Sequence, residues 1–359
     1  MLQTTTRRRM LQAVGAGCAV ALAGCSTERP NDLSVTETQG ADGLAPAEEV
    51  DVDRIAADPR DIPEPIARDT PAEVDVELET REVIAEVEPG VTFPYMTFSG
   101  QVPGPFVRTR VGDTVNLTIR NLAESGMVHN VDFHACRGPG GGAEATTVAP
   151  GEEKRLRFTV TYPGAFVYHC APADVDYHIS SGMFGLILVE PEEGLPEVDH
   201  EFYLGQHELY TEGETGEEGH HEFDFGRMAA EDPTYVLMNG EKFAITPDGY
   251  DEMTVKTGET VRVFFAVGGP NLGCNFHPIG SVWDEVYQQG ALASEPQRYV
   301  QTTPVLPGSA TVVTSTFPVP GDYKLVDHAL SRVVRKGALA IIRAEGPENP
   351  AVFAPQAGA

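Results

Sequence analysis

The chain has 359 residues and carries 54 acidic against 25 basic side chains, for a formal net charge of -29. Lysine is confined to Lys154, Lys242, Lys256, Lys324 and Lys336, so the surface repels phosphate and nucleic acid is excluded as a partner. The same balance suits a salt-adapted protein, whose self-repulsion is screened where the Debye length is short, or an ordinary acidic protein with an acidic arm.

The chain opens with a leader. Arg7-Arg8-Arg9 precedes an apolar run from Ala13 to Ala23 that is too short to span a bilayer as a mature helix. The pattern resembles a twin-arginine export signal, and Leu22-Ala23-Gly24-Cys25 resembles a lipoprotein box. Residues 1–25 are therefore expected to be a signal, with Cys25 lipid-anchoring the exported protein to the outer face of the cytoplasmic membrane. Residues 26–75 are rich in Asp, Glu, Ala and Pro and poor in aromatics, which predicts a flexible acidic tether.

The body that follows is rich in turns, with Gly 37 and Pro 28 in the whole chain, and it lacks long helical periodicity. An all-β fold is expected. Val111-Gly112-Asp113-Thr114-Val115-Asn116-Leu117-Thr118-Ile119 places alternating apolar residues after a glycine turn. The phrase returns as Val255-Lys256-Thr257-Gly258-Glu259-Thr260-Val261-Arg262-Val263. Pro150-Gly151 and Pro163-Gly164-Ala165-Phe166 likewise return as Pro307-Gly308 and Pro320-Gly321-Asp322-Tyr323. These repeats predict two tandem β-sandwich domains, 76–195 and 196–346, then a tail over 347–359. Within the second, His200 to Pro233 is a long acidic insertion. Its His220-His221 pair reads as part of a solvated loop, with metal binding as the other reading.

Of the five cysteines, Cys18 and Cys25 lie in the leader, and Cys136, Cys170 and Cys274 show no disulfide spacing. Cys136 and Cys274 read as small buried apolar residues. Cys170 is different: His178 and Met183 follow it within one loop, and His129 comes from an earlier segment. A thiolate, two imidazoles and a thioether suit a copper electron-transfer centre. Side chains alternate faces along a strand, so His169 points away from Cys170 and His134 away from His129. That parity gathers His134, His169 and Asp132 into a second site, whose imidazoles suit Cu(II) or Zn. The peptide bond between His169 and Cys170 would then join the two sites covalently.

His129-Asn130-Val131-Asp132-Phe133-His134, Tyr168-His169-Cys170-Ala171-Pro172 and Ser181-Gly182-Met183 closely resemble the copper-containing nitrite reductases. The resemblance runs from about Val91 to Gly346. It implies two cupredoxin-like Greek-key β-sandwich domains per subunit, three subunits in a ring and about two coppers per subunit. The implied type 1 copper ligands are His129, Cys170, His178 and Met183. The implied type 2 ligands are His134 and His169, with His328 supplied by the neighbouring subunit. Asp132 and His277 are the implied acid–base residues, with Thr302 or Thr303 behind His277. The implied reaction is the denitrifying one-electron reduction of nitrite to nitric oxide and water, with the electron entering at type 1 copper from a small copper protein and passing through Cys170 and His169. The interval from Cys170 to His178 is one residue shorter than in the best-known members, and the Met-x-Pro-Trp segment is missing. This is similar to the family's shorter-loop branch, and it leaves the donor's docking surface and the colour of the type 1 centre open.

Two other readings fit the residues less well. A two-domain multicopper oxidase resembles a set of His-x-His pairs with a His-Cys-His; here no His-x-His occurs, and Ala171 follows Cys170 where a histidine is needed. A tethered electron carrier with one copper leaves Asp132, His134, His169, His277 and His328 unemployed.

Overall fold

The structure is a computed structural model that describes residues 43–356. The expected signal and Cys25 lie outside the described residues, as does the first part of the expected tether.

Strands of the first half are β1 (Glu73–Glu88), β2 (Val91–Phe98), β3 (Val107–Arg110), β4 (Thr114–Asn121), β5 (Asp132–Phe133), β6 (Glu153–Thr159), β7 (Gly164–His169) and β8 (Phe184–Glu190). The second half supplies β9 (His200–Leu209), β10 (Gly219–His220), β11 (Tyr235–Met238), β12 (Thr254–Lys256), β13 (Thr260–Gly269), β14 (Cys274–Ile279), β15 (Trp283–Tyr287), β16 (Gln297–Val300), β17 (Thr303–Val305), β18 (Ser309–Thr316), β19 (Gly321–Asp327) and β20 (Leu339–Glu345). Helices are short: α1 (Ala143–Thr146), α2 (Val175–Ser180), α3 (Phe225–Ala229) and α4 (Val333–Lys336).

The strands form two cupredoxin-like sandwiches. In the first, the sheet β10-β2-β1-β4-β6 faces β3-β8-β7-β5 across a core that includes Leu78, Leu117, Phe133, Tyr168 and Ile187. In the second, β11-β9-β13-β18-β15-β16 faces β12-β20-β19-β14-β17 across Phe202, Phe265, Phe276 and Trp283. The sequence repeat is visible here: β4 and β13 each follow a glycine in the left-handed region, Gly112 and Gly258, both at φ 88. A third core joins the sandwiches through Phe93, Tyr95, Phe184, Tyr203 and Phe264. Strand β13 serves two cores at once, with Val261, Val263, Phe265 and Val267 on one face and Phe264 and Ala266 on the other. Burial on both faces explains its nearly unbroken apolar run, and each such phenylalanine contributes about 2–3 kcal/mol.

Three expectations are corrected. From residue 43 onward the 26–75 stretch is no tether. Ile55, Ala56 and Ala57 are buried, Ala57 N–H donates to Val102 O at 2.9 Å, and Arg54 reaches the carboxylate of Glu252. Arg68 pairs with the fully buried Asp113, and strand β1 begins at Glu73, ahead of the expected domain start. A few apolar residues and two arginines matched to buried acids outweigh the acidic average. The His220-His221 loop is not solvated either. Strand β10 joins the first sandwich as an edge strand parallel to β2, and both histidines are buried. His220 Nδ1 lies 3.0 Å from Thr92 Oγ1, and His221 Nε2 donates to Glu217 O at 2.7 Å, so both are structural. Finally, Cys274 is buried as expected, but Cys136 is only partly buried, packed at the edge of the first core.

Candidate metal centres

The first ligand set forms at the end of the first sandwich. Backbone bonds between His129 and Val148, at 3.1 and 2.8 Å, fix the entry of the imidazole. Cys170 follows β7 directly, and its N–H donates to Met183 O at 3.0 Å. Met183 N–H donates to His178 O, also at 3.0 Å, so one loop ties the three residues together, with helix α2 carrying His178. His129 Nδ1 lies 3.2 Å from His178 Nδ1 and 3.8 Å from Cys170 Sγ. All four side chains, Met183 included, are fully buried. Burial pushes the Cys170 thiol up to about 12, against backbone N–H groups of Asn130 and Ala171 that favour the thiolate. Burial, followed by the neighbouring His129, pulls His178 down to about 4. A buried thiol and neutral imidazoles aimed at one point need a soft cation to become a stable ionised set, and the donors fit copper.

The second set lies on the opposite face of the same strand, as side-chain alternation requires. Asp132 is paired with His169 across β5 and β7. His134 Nε2 and His169 Nε2 stand 3.1 Å apart. His169 Nδ1 donates to Cys170 O at 2.9 Å, which leaves the Nε2 lone pair directed at His134. Burial and the adjacent His169 lower the His134 pKa, while Asp132 opposes them. Candidate ligand atoms of Asp132, His134 and His169 lie within 4.8 Å of one another, as do those of His129, Cys170 and His178.

His277 and His328 sit on the second sandwich and belong to neither group. Their rings are 5.1 Å apart. His328 N–H donates to Asn275 O at 2.8 Å, and its side chain is exposed, as is that of His134. His277 Nδ1 donates to Gln301 O at 2.5 Å, which leaves Nε2 free. Thr302 Oγ1 is 3.4 Å from the same Nδ1, whereas Thr303 Oγ1 is buried without a partner. Of the two threonines, Thr302 is the one beside the imidazole.

Three neighbours of these sites take roles that the sequence does not spell out. Asn130 Oδ1 accepts from Ala171 N–H at 2.6 Å and its Nδ2 donates to Ala171 O at 3.1 Å, clamping the residue after Cys170. Glu82 Oε1 accepts from His129 Nε2 at 3.2 Å, yet in the sequence it is one of several glutamates on a long strand. Gly141, at φ +54, is packed so closely that an added Cβ would fall 1.7 Å from Asp132 Oδ1. Its place in Gly140-Gly141-Gly142, following the ligand segment, is the one hint the sequence offers.

Comparison with known proteins agrees with this geometry. A family model described as "Multicopper oxidase" matches residues 79–194. The copper-containing nitrite reductase of Neisseria meningitidis serogroup B is 46% identical over 303 residues, covering 84% of this chain and 76% of the relative. That of Pseudomonas chlororaphis is 34% identical over 351 residues, 92% of each. The copper nitrite reductase structure from Nitrosomonas europaea aligns with TM-score 0.68 at 34% identity, covering 77% of this chain and 96% of its own. With both donor sets present on the fold these relatives share, the chain belongs to the copper-containing nitrite reductase family.

Proposed function

We propose that this protein reduces nitrite, NO2⁻ + e⁻ + 2H⁺ → NO + H2O, using two coppers per subunit. The observation that carries the reading is the pair of adjacent residues His169 and Cys170, whose side chains enter two different donor sets on opposite faces of one strand. His129, Cys170, His178 and Met183 would hold the first copper. His134 and His169 would hold the second, with His328 of a neighbouring subunit completing it. When bound, the first copper supplies a one-electron relay and the second an open position for nitrite.

The protein's own groups do the rest. The His169–Cys170 peptide bond gives a covalent path between the donor sets. Asp132 places a carboxylate beside the imidazoles, where it accepts and returns a proton to a nitrite oxygen. His277, anchored through Nδ1, presents Nε2 for the second proton. The exposed half-sites at His134 and at His328 support assembly as a homotrimer, in which each is covered by the other. An exported, salt-adapted protein lipid-anchored at Cys25 fits the leader and the charge, and a small copper protein fits as electron donor.

A copper assay, an optical spectrum and nitric oxide detection with nitrite and an artificial reductant test this together. About two coppers per subunit with nitric oxide formation is expected. One copper without turnover would leave an electron carrier, and four would mean an oxidase.

A further inference from the structure

We propose that Glu82 is a positioning residue for the thiolate centre: it accepts the Nε2 proton of His129, holds that ring with Nδ1 toward Cys170 and His178, and lowers the centre's reduction potential. The proposal rests on the metal reading above. Its geometry is specific. The Oε1 atom that meets His129 Nε2 at 3.2 Å also accepts from Met127 N–H at 2.9 Å. Oε2 accepts from Gly126 N–H at 3.1 Å. One carboxylate on β1 therefore grips both the ligand and the backbone two and three residues ahead of it.

The other imidazole of the set has no such support. His178 Nε2 is buried without a hydrogen-bond partner. Its nearest carboxylate oxygen, on Asp174, is 3.4 Å away and belongs to a side chain that is 47% exposed. A carboxylate accepting the distal N–H fixes the tautomer and makes the imidazole a stronger donor. A stronger donor favours the more highly charged, oxidised ion, so Glu82 acts on the potential as well as on the position.

The test is Glu82→Gln in the full-length, copper-loaded protein, with redox titration of the visible thiolate–copper band. Gln keeps an acceptor oxygen at similar reach and removes the charge. The band should persist, while the electron-transfer equilibrium shifts about tenfold toward the reduced state, or about 59 mV for one electron. Asp174→Asn should shift it less than threefold. A shift below threefold in Glu82→Gln, or an equal shift in Asp174→Asn, overturns the proposal. Loss of the band in Glu82→Gln with unchanged melting of the metal-free protein supports positioning, and loss accompanied by a lowered melting temperature overturns it. A wild-type protein lacking the band would overturn the metal reading and, with it, the proposal.

Discussion

Gly141→Ala separates the position of the Asp132 carboxylate from its chemistry. The new Cβ would lie 1.7 Å from Asp132 Oδ1, 2.8 Å from its Cγ and 2.9 Å from Phe133 O. Real carbon contacts begin near 3.0 Å, so the carboxylate must retreat by about 1 Å. A misplacement of that size costs about 100-fold in rate where geometry governs proton delivery. The backbone adds strain, because an alanine at φ +54 is about 1 kcal/mol less stable than glycine there. Gly140→Ala is the matched control. Its φ is +55, but its Cβ would meet nothing nearer than Ala143 Cβ at 3.8 Å. Both variants should lose about 1 kcal/mol in denaturant titration and keep two coppers and the visible band. Only Gly141→Ala should lose turnover with nitrite and an artificial reductant, by about 10- to 100-fold. If Gly141→Ala turned over within threefold of wild type, the contact would not govern the reaction and the role given to Asp132 would fall with it.

Asp132→Asn should lower kcat by about 100-fold or more with both metals retained; loss of metal on assay would mean that Asp132 is structural. His134→Ala should keep the visible thiolate–copper band and abolish nitric oxide formation, and normal turnover in that variant would refute the second site. Arg68→Ala tests the docked N-terminal segment through its effect on Asp113. Burial alone would raise the Asp113 carboxyl, but Arg68 and the backbone N–H groups of Ala72 and Arg110 more than offset it and hold it below its usual value. A carboxyl lowered on folding adds stability above its unfolded value, and that stability fades as pH falls through the folded one. Removing Arg68 should therefore cost about 2 kcal/mol at pH 7 and start acid unfolding at a higher pH. Unchanged urea and acid midpoints would mean that the segment is not docked there.

Much of this was legible because the informative features are local. Strand alternation separates His169, the last residue of β7, from Cys170 after it, and a glycine turn before an alternating run marks β4 and β13 alike. What escaped is non-local. Nothing near Ile55 says that it will lie against Val102, and nothing near Arg68 names Asp113 as its partner. The His220-His221 loop departs from its sequence pattern for the same reason. Its acidic average is real, but β10 hydrogen-bonds to a strand about 130 residues earlier, and that pairing decides burial. Glu82 likewise acquires its role only when β1 is laid beside the His129 loop.

The repeat also shows why, among the described residues, the cysteine-containing donor set forms on the first sandwich and not on the second. In the first sandwich, β7 ends on His169 with Cys170 directly after it, and the following loop returns with His178 and Met183. In the second, β19 ends on Asp327 with His328 directly after it, and the following turn returns with Arg332. Asp327 is fully buried and accepts from Asn275 N–H at 3.0 Å, Ala329 N–H at 3.0 Å and Arg332 Nη1 at 2.7 Å. An ion pair with backbone donors thus stands after β19 where the Cys170 donor set stands after β7. Such a pair is worthwhile only when its lone pairs are filled, and here they are. With Asp327 turned inward, its neighbour His328 is turned outward by the same strand alternation that separates His169 from Cys170. Each sandwich therefore presents imidazole to solvent, His134 and His169 on one and His277 and His328 on the other. Among the described residues these four imidazoles do not form one cluster, so the proposed three-imidazole site draws on two copies of the chain. Dissociating the proposed trimer by dilution should cost nitrite turnover and leave the visible thiolate band in place. Monomers with full turnover would show that the proposed contribution of His328 from a neighbour is wrong.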